Sequence, residues 1–285
     1  MTAAATRPWE YRAFPVTVRR TRRLSPGFIR VTLAGPTLGE FAPWGLDQRI
    51  KLVLPAPDGS RPDFGLLDDP TPHPKEWYTR WKALPEASRN VLRTYTPAAV
   101  RPEHGEIDVD LFIHQPAGPA SAWALACRPG DEIVITGPDA RAGYTGYGIH
   151  YTPPSPPQRL VLIGDESALP AIRNILEAQP TDTTVDVILE LGDLADDLLG
   201  GRWPGAGIRL VAPEARPGVA LERAVVEWVE HAAITAAGRS EMYAWVAGEA
   251  SATTRIRRYL TSTAGLDKAR VAFLGYWALG GPLVS

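Results

Sequence analysis

Arg93-Thr94-Tyr95-Thr96 and, one expected strand later, His114-Gln115-Pro116-Ala117-Gly118-Pro119-Ala120-Ser121-Ala122-Trp123 are the stretches that decide the fold. Between them, Ile107, Val109, Leu111 and Ile113 alternate with Asp108, Asp110, Phe112 and His114. That period of two is the pattern of a strand with one face on a core, and it points Phe112 and His114 away from that core. After the strand, Gly118, Pro119, Ala120 and Ser121 form a small-residue loop whose backbone can approach a ligand closely. It leads into a short helix over 120–126, with Trp123 on it, whose positive N-terminal end would face phosphate. Arg93, Tyr95 and Thr96 supply donors upstream. A flavin dinucleotide needs both parts: donors for its ring and ribityl chain, and amides that close on a pyrophosphate. His114 alone reads more readily as a solvated residue at a hairpin edge, with Arg93 paired to a carboxylate; the combined spacing reverses this in favour of the clamp.

Outward from this point the chain divides in two. Before residue 150 the expected strands are Phe14–Arg20, Phe28–Ala34, Ile50–Leu54, Asn90–Tyr95, Ile107–His114 and Glu132–Thr136, with Gly35-Pro36, Pro129-Gly130 and Gly137-Pro138 as turns. Residues 55–89 break this pattern with a Pro- and Asp-rich excursion that holds one amphipathic stretch, Lys75–Lys82; such excursions are functional or mobile. Pro153-Pro154-Ser155-Pro156-Pro157 is a stiff spacer that cannot continue a sheet. Beyond it, strands at Leu160–Ile163, Val185–Leu191, Ile208–Val211, Met242–Val246 and Val271–Tyr276 alternate with helices at Ala168–Ala178, Leu221–Ala233 and Ser251–Ser262, the grammar of a parallel sheet covered on both faces. The expected domains are 1–152, a linker at 153–157, and 158–285.

The motifs around this frame resemble one family. Arg93 to Thr96, Gly118-Pro119-Ala120-Ser121 with Trp123, Arg128-Pro129-Gly130-Asp131, Gly164-Asp165-Glu166-Ser167-Ala168-Leu169-Pro170-Ala171, Ala247-Gly248-Glu249-Ala250 and Gly275-Tyr276-Trp277 recur in that order in the siderophore-interacting proteins. The resemblance spans nearly the whole chain. It implies a ferredoxin reductase-like fold: an antiparallel Greek-key β-barrel that binds FAD, followed by an α/β domain of the nucleotide-binding type. It also implies reduction of ferric siderophores with release of Fe(II), NADH or NADPH as the electron donor, and ferredoxin as the donor in some members.

Composition agrees with these expectations. A chain of 285 residues with 45% hydrophobic and 22% charged residues accommodates two globular domains. Met1 to Arg7 lacks the apolar stretch of a signal peptide and no apolar run reaches membrane-spanning length, so a cytoplasmic protein, expected to be a monomer, is anticipated. Cys127 is the sole cysteine, which excludes an internal disulfide and a cysteine-ligated iron–sulfur cluster within this chain. The net charge of -2 argues against nucleic-acid binding. Arg19, Arg20, Arg22 and Arg23 read as a solvated strand face.

The strand-to-helix turn Gly164-Asp165-Glu166-Ser167 lies where a dinucleotide would bind in an open parallel sheet. It has one glycine and two carboxylates, so the usual glycine-rich fingerprint is absent. Asp165, Glu166 and Ser167 are nevertheless cofactor-site candidates through the resemblance, with Ser167 a possible cap of the helix. Glu190 and Asp193 suit a ribose hydroxyl better than an extra phosphate and favour NADH. Arg49 and Lys51 share a strand face and match a family segment implicated in siderophore binding; an exposed strand face is the alternative. Arg141 stands near the position of a basic residue for which this chain has Asp139. Ala98 and Ala278 occupy positions where relatives often carry basic residues. Trp277 reads either as packing near the flavin ring or as core at the sheet edge. A flavin oxidoreductase with another acceptor, and a ferric-siderophore binding protein without effective flavin use, are the competing readings.

Overall fold

A computed structural model describes residues 10–56, 58–232 and 236–280. The expectations about Met1–Arg7, Ala233 and the last five residues lie outside these. Contacts divide the chain into two units, one containing Phe28–Ile149 with the chain up to Leu24, the other Ser25–Gly27 with His150 onward. None of the helices among the described residues is long and apolar enough to cross a membrane.

The first unit is a seven-stranded antiparallel sheet: β1 (Tyr11–Arg23), β2 (Phe28–Ala34), β3 (Ile50–Leu54), β4 (Val91–Tyr95), β5 (Pro97–Arg101), β6 (Glu106–Phe112) and β7 (Glu132–Pro138), in the order β4-β3-β7-β1-β2-β6-β5. Its two edges, β4 and β5, are consecutive in the chain and joined by Thr96 alone. Laid flat, seven strands would hold those edges about 29 Å apart, and a single linking residue spans only about 7 Å. The sheet must therefore curl until its edges meet at Thr96, which is the antiparallel barrel with non-sequential, Greek-key neighbours. Ile107, Val109 and Leu111 face its core with Phe14, Val31, Leu33, Ile50 and Leu52. β5 does not stand out in the sequence, because Pro97 and two alanines disguise it, and a register irregularity between Pro97 and Ala99 places Ala98, buried, at a bulge.

The outer face of β6 departs from simple alternation. Asp108 and Asp110 are buried there. Arg30 donates to both Asp110 oxygens at 2.6 and 2.8 Å, and Arg101 reaches Asp108 at 2.9 and 3.0 Å and Glu106 at 3.1 Å. Burial opposes ionisation of Asp108, but the hydrogen bonds from Arg101 and Thr32 outweigh it and hold its pKa below the ordinary value. Arg19 and Arg20 extend this network to Glu106 from an exposed face.

Residues 55–89 are part of the packing. Helix α1 (Pro74–Ala83) places Trp77 and Trp81, one turn apart, against Tyr11, Ala13, Val53, Phe64 and Leu66 on the outside of the sheet. The Trp77 indole N–H donates to Tyr11 Oη at 2.7 Å, and the Tyr11 hydroxyl donates to Pro72 O. Replacing either tryptophan by alanine would cost about 3–5 kcal/mol. Helix α2 (Pro119–Ala126) inserts Ala120 and Ala124 into the barrel core.

The second unit is a five-stranded parallel sheet: β8 (Arg159–Asp165), β9 (Thr184–Glu190), β10 (Gly207–Val211), β11 (Met242–Glu249) and β12 (Val271–Trp277), ordered β10-β9-β8-β11-β12. Helices α3 (Leu169–Glu177), α4 (Val219–His231), α5 (Ala236–Glu241) and α6 (Ala250–Arg258) lie between strands, while β9 reaches β10 without an α-helix. The helix expected over Ser251–Ser262 ends as α at Arg258 and continues as a π turn, Tyr259–Thr263. Val161, Ile163, Ala244 and Val246 pack with Leu221, Val225 and Ile256 of α4 and α6. Gly164 faces the other side, where an added Cβ would lie 2.5 Å from Ala168 Cβ and 3.3 Å from Ile172 Cδ1. The lone glycine of the first turn thus serves close packing of α3, and both faces are covered.

Candidate functional site

The strand pair β3–β4 sorts the predicted residues by face. Arg93 pairs with Leu52 and Tyr95 with Ile50, both barrel-core residues, so Arg93 and Tyr95 share the core-facing side at the sheet's edge. Lys51 pairs with Thr94 and Thr136 on the opposite side. Tyr95 packs partly on the core, and burial pushes its hydroxyl up to about 12, Arg93 opposing. Thr96 is buried between the edge strands.

Arg93 is half-buried, and its guanidinium donates to the Leu92 carbonyl at 2.8 Å. Among the described residues no carboxylate forms an ion pair with it, in contrast to Arg30 and Arg101. Burial without a compensating anion holds its pKa below the ordinary value, whereas those of Arg30 and Arg101 are raised by their carboxylate hydrogen bonds.

Nearby in the same unit, α2 begins at Gly118 with no side-chain cap. Pro119 has no N–H, and the hydroxyl of Ser121 in the first turn is used elsewhere: its Oγ accepts from His114 N at 3.1 Å and donates to Phe112 O at 3.4 Å. The hydroxyl thereby fastens the end of β6 to the helix. Open space surrounds Gly118, where an added Cβ would meet nothing within 4 Å. His114 is exposed, with its ring edge-on to Phe112 at 5.1 Å, and Trp123 packs partly on the core. An uncompensated cation and an uncapped helix start both favour an anion, so the residues fit a flavin dinucleotide.

Arg49 and Lys51 are half-buried, and neither has an ion-pair partner among the described residues. Lys51 Nζ donates to Thr94 Oγ1 at 3.3 Å, and burial together with the Arg49 charge lowers its pKa. Arg141 is committed instead: its guanidinium reaches Asp139 at 2.6 Å and Glu40 at 3.8 Å. Asp139, the departure noted in the sequence, is buried and claims the arginine beside it.

In the second unit the carboxyl ends of β8, β9 and β11 carry Asp165, Glu166, Glu190 and Glu249. Asp165 is buried; Oδ1 accepts from Ser167 N at 2.9 Å and from its hydroxyl, while Oδ2 accepts from Glu249 N at 3.1 Å and Trp277 Nε1 at 2.8 Å. Glu166 accepts from Gly192 N at 2.7 Å, and burial pushes its carboxyl up to about 7. Glu190 accepts from Gly218 N and Leu221 N, both at 3.2 Å, and so caps α4. It is buried and internally engaged, which removes it from the ribose role expected for it. Glu249 caps α6 through Ala252 N at 2.8 Å. No role for Glu249 or Gly248 was evident from the sequence; the only signal was their place in the recurrent run 247–250. No cluster of three or more metal-ligating side chains occurs among the described residues.

A curled antiparallel sheet, followed in the chain by a parallel sheet with covered faces, is the ferredoxin reductase-like fold. Residues 17–142 match the siderophore-interacting FAD-binding domain and residues 157–280 the siderophore-interacting protein domain, so the chain belongs to the siderophore-interacting protein family. It is similar to the mycobactin import ATP-binding/permease protein IrtA of Mycolicibacterium smegmatis, 32% identical over 81% of this chain and 24% of that protein. The chain thus spans about a quarter of the length of that relative. It is 29% identical to the NADPH-dependent ferric-chelate reductase of Escherichia coli over 92% of this chain and 91% of that one. Among solved structures, the siderophore-interacting protein SipS from Aeromonas hydrophila superposes with a TM-score of 0.69 at 26% identity, covering 95% of this chain and 94% of that one.

Proposed function

We propose that this chain is an FAD-dependent ferric-siderophore reductase that passes electrons from NAD(P)H to a ferric chelate and releases Fe(II) in the cytoplasm for iron assimilation. The observation that carries the reading is a half-buried Arg93, with no ion-pair partner among the described residues, together with an uncapped α2, which supports a phosphate-bearing ligand in the first unit. Arg93, Tyr95 and Thr96 hold the ring and ribityl end, with Phe112 and His114 bordering it. Gly118, Pro119, Ala120 and Ser121 hold the pyrophosphate, and Trp123 backs the loop. Bound FAD supplies the exchange between a two-electron donor and Fe(III), which accepts one. Reduction weakens a chelate of hard oxygen donors, because Fe(II) is larger and less charged. Arg49 and Lys51 attract an anionic chelate, Lys51 the more strongly for being partly desolvated.

A relative named as an NADPH-dependent ferric-chelate reductase supports the nicotinamide donor. Reduced ferredoxin is the second reading, favoured by one observation: the turn before α3 and the starts of α4 and α6 are each filled by the chain's own carboxylates, which leaves few open amides for a diphosphate. Comparing turnover with ferric siderophores, quinones and oxygen, with NADH, NADPH or reduced ferredoxin as donor, tests the proposal. Preference for a quinone or oxygen would replace it with a general flavin oxidoreductase.

A further inference from the structure

The chain ends its last strand with an irregularity that has a chemical consequence. β11 and β12 pair in register up to Gly248 opposite Gly275, but the next pair is Glu249 opposite Trp277, so Tyr276 is an extra residue. A bulge of this kind re-aims the side chain that follows it. Here it brings the Trp277 indole N–H to Asp165 Oδ2 at 2.8 Å, across 112 residues of sequence. Room for the carboxylate is made by Gly248, which has φ +149° and where an added Cβ would lie 2.6 Å from Asp165 Oδ2. Asp165 also accepts from Ser167 and from Glu249 N, so one buried side chain joins the ends of β8, β11 and β12. Trp277 is only half-buried, which leaves part of its ring uncovered at the end of the sheet where ligands of open parallel sheets bind.

We propose that Asp165 is a positioning residue: it latches Trp277 through the indole N–H so that the ring stands as a fixed platform on which the planar nicotinamide of the electron donor stacks. Asp165 does not touch the donor. It acts by removing the rotational freedom of the indole, so that the ordering cost is met in the folded protein and not at each binding event. The inference rests on the reading that NAD(P)H is the donor.

A double-mutant cycle on the FAD-loaded protein tests it. Asp165→Asn is nearly isosteric but turns an amide NH2 towards one pair of its donors, and Trp277→Phe keeps an aromatic face while deleting the N–H. Each single variant is expected to raise KM for the nicotinamide nucleotide about tenfold, in line with loss of a charged hydrogen bond, with flavin content unchanged and kcat within twofold. Asp165→Asn made in the Trp277→Phe background should then add less than twofold. The wild-type fluorescence should contain a Trp277 component, obtained by subtracting the Trp277→Phe spectrum, that shifts to longer wavelength in Asp165→Asn. Independent, multiplicative effects would overturn the latch, because a merely structural role for Asp165 at Ser167 and Glu249 persists without the indole. If neither NADH nor NADPH reduces the wild-type flavin while ferredoxin does, the donor reading fails, and the platform with it.

Discussion

Arg93→Ala separates a ligand-binding arginine from a structural one. The wild-type guanidinium is half-buried, bonded to the Leu92 carbonyl and, among the described residues, without a carboxylate partner. Its removal therefore leaves no anion stranded, and the unloaded protein should keep its stability to within about 1 kcal/mol. A hydrogen bond from the charged guanidinium to the ring or ribityl end of the flavin is worth about 1.5–3 kcal/mol, which corresponds to FAD affinity falling roughly 10- to 150-fold. Arg30→Ala is the contrast: it takes the two-pronged partner from Asp110, whose side chain is fully buried, and should cost about 3–5 kcal/mol. The assay is FAD titration of flavin-free protein by fluorescence quenching, with urea unfolding of both variants. FAD affinity within twofold of wild type, or a stability loss in Arg93→Ala as large as in Arg30→Ala, would refute the reasoning.

Lys51→Ala should raise KM for anionic ferric chelates about fivefold at low salt, leave neutral chelates unchanged and lose its effect as salt rises; equal changes for both would remove its electrostatic role. Glu166 has a folded-state pKa of about 7 against an ordinary 4.5, so protonation favours the folded state. Its contribution is full below the ordinary value and is lost as pH rises through about 7. Glu166→Gln should flatten the decline in stability between about pH 4.5 and about pH 7, and an unchanged slope in thermal unfolding would contradict the assignment. Gly248→Ala forces a side chain at φ +149° into the Asp165 carboxylate. It should cost about 2 kcal/mol or more, and a urea midpoint equal to wild type would show that β11 yields there.

Local alternation made much of the architecture legible. Ile107, Val109 and Leu111 announced β6, and the all-apolar run at Leu160–Ile163 announced a strand buried on both faces. β5 was hidden because its proline and alanines carry little strand preference, and it is imposed by the need to close the sheet at Thr96. Asp108 and Asp110 read as an outward face, yet Arg30 and Arg101 cover them, a fact set by the neighbours β2 and β5 and invisible along β6 itself. Trp77 and Trp81 showed a helical spacing, whereas their partner Tyr11 lies more than sixty residues away. The site divides similarly. The open loop 118–121 was readable from its small residues, but whether Arg93 is paired depends on which carboxylates the fold brings near. The role of Glu190 as the cap of α4 depends on where that helix begins, at Gly218, 28 residues onward, and the Asp165–Trp277 bond depends on a bulge.

The central claim is that this chain's flavin reduces a ferric siderophore, and the most direct measurement is the visible absorption of the FAD-loaded protein under anaerobic conditions. NADPH or NADH is added first, then a ferric siderophore with an Fe(II) chelator present. The account predicts that the flavin bands bleach with nucleotide and return on addition of the chelate, with two Fe(II) trapped for each flavin reoxidised. Bands that bleach and stay bleached, with no Fe(II) formed, would contradict it.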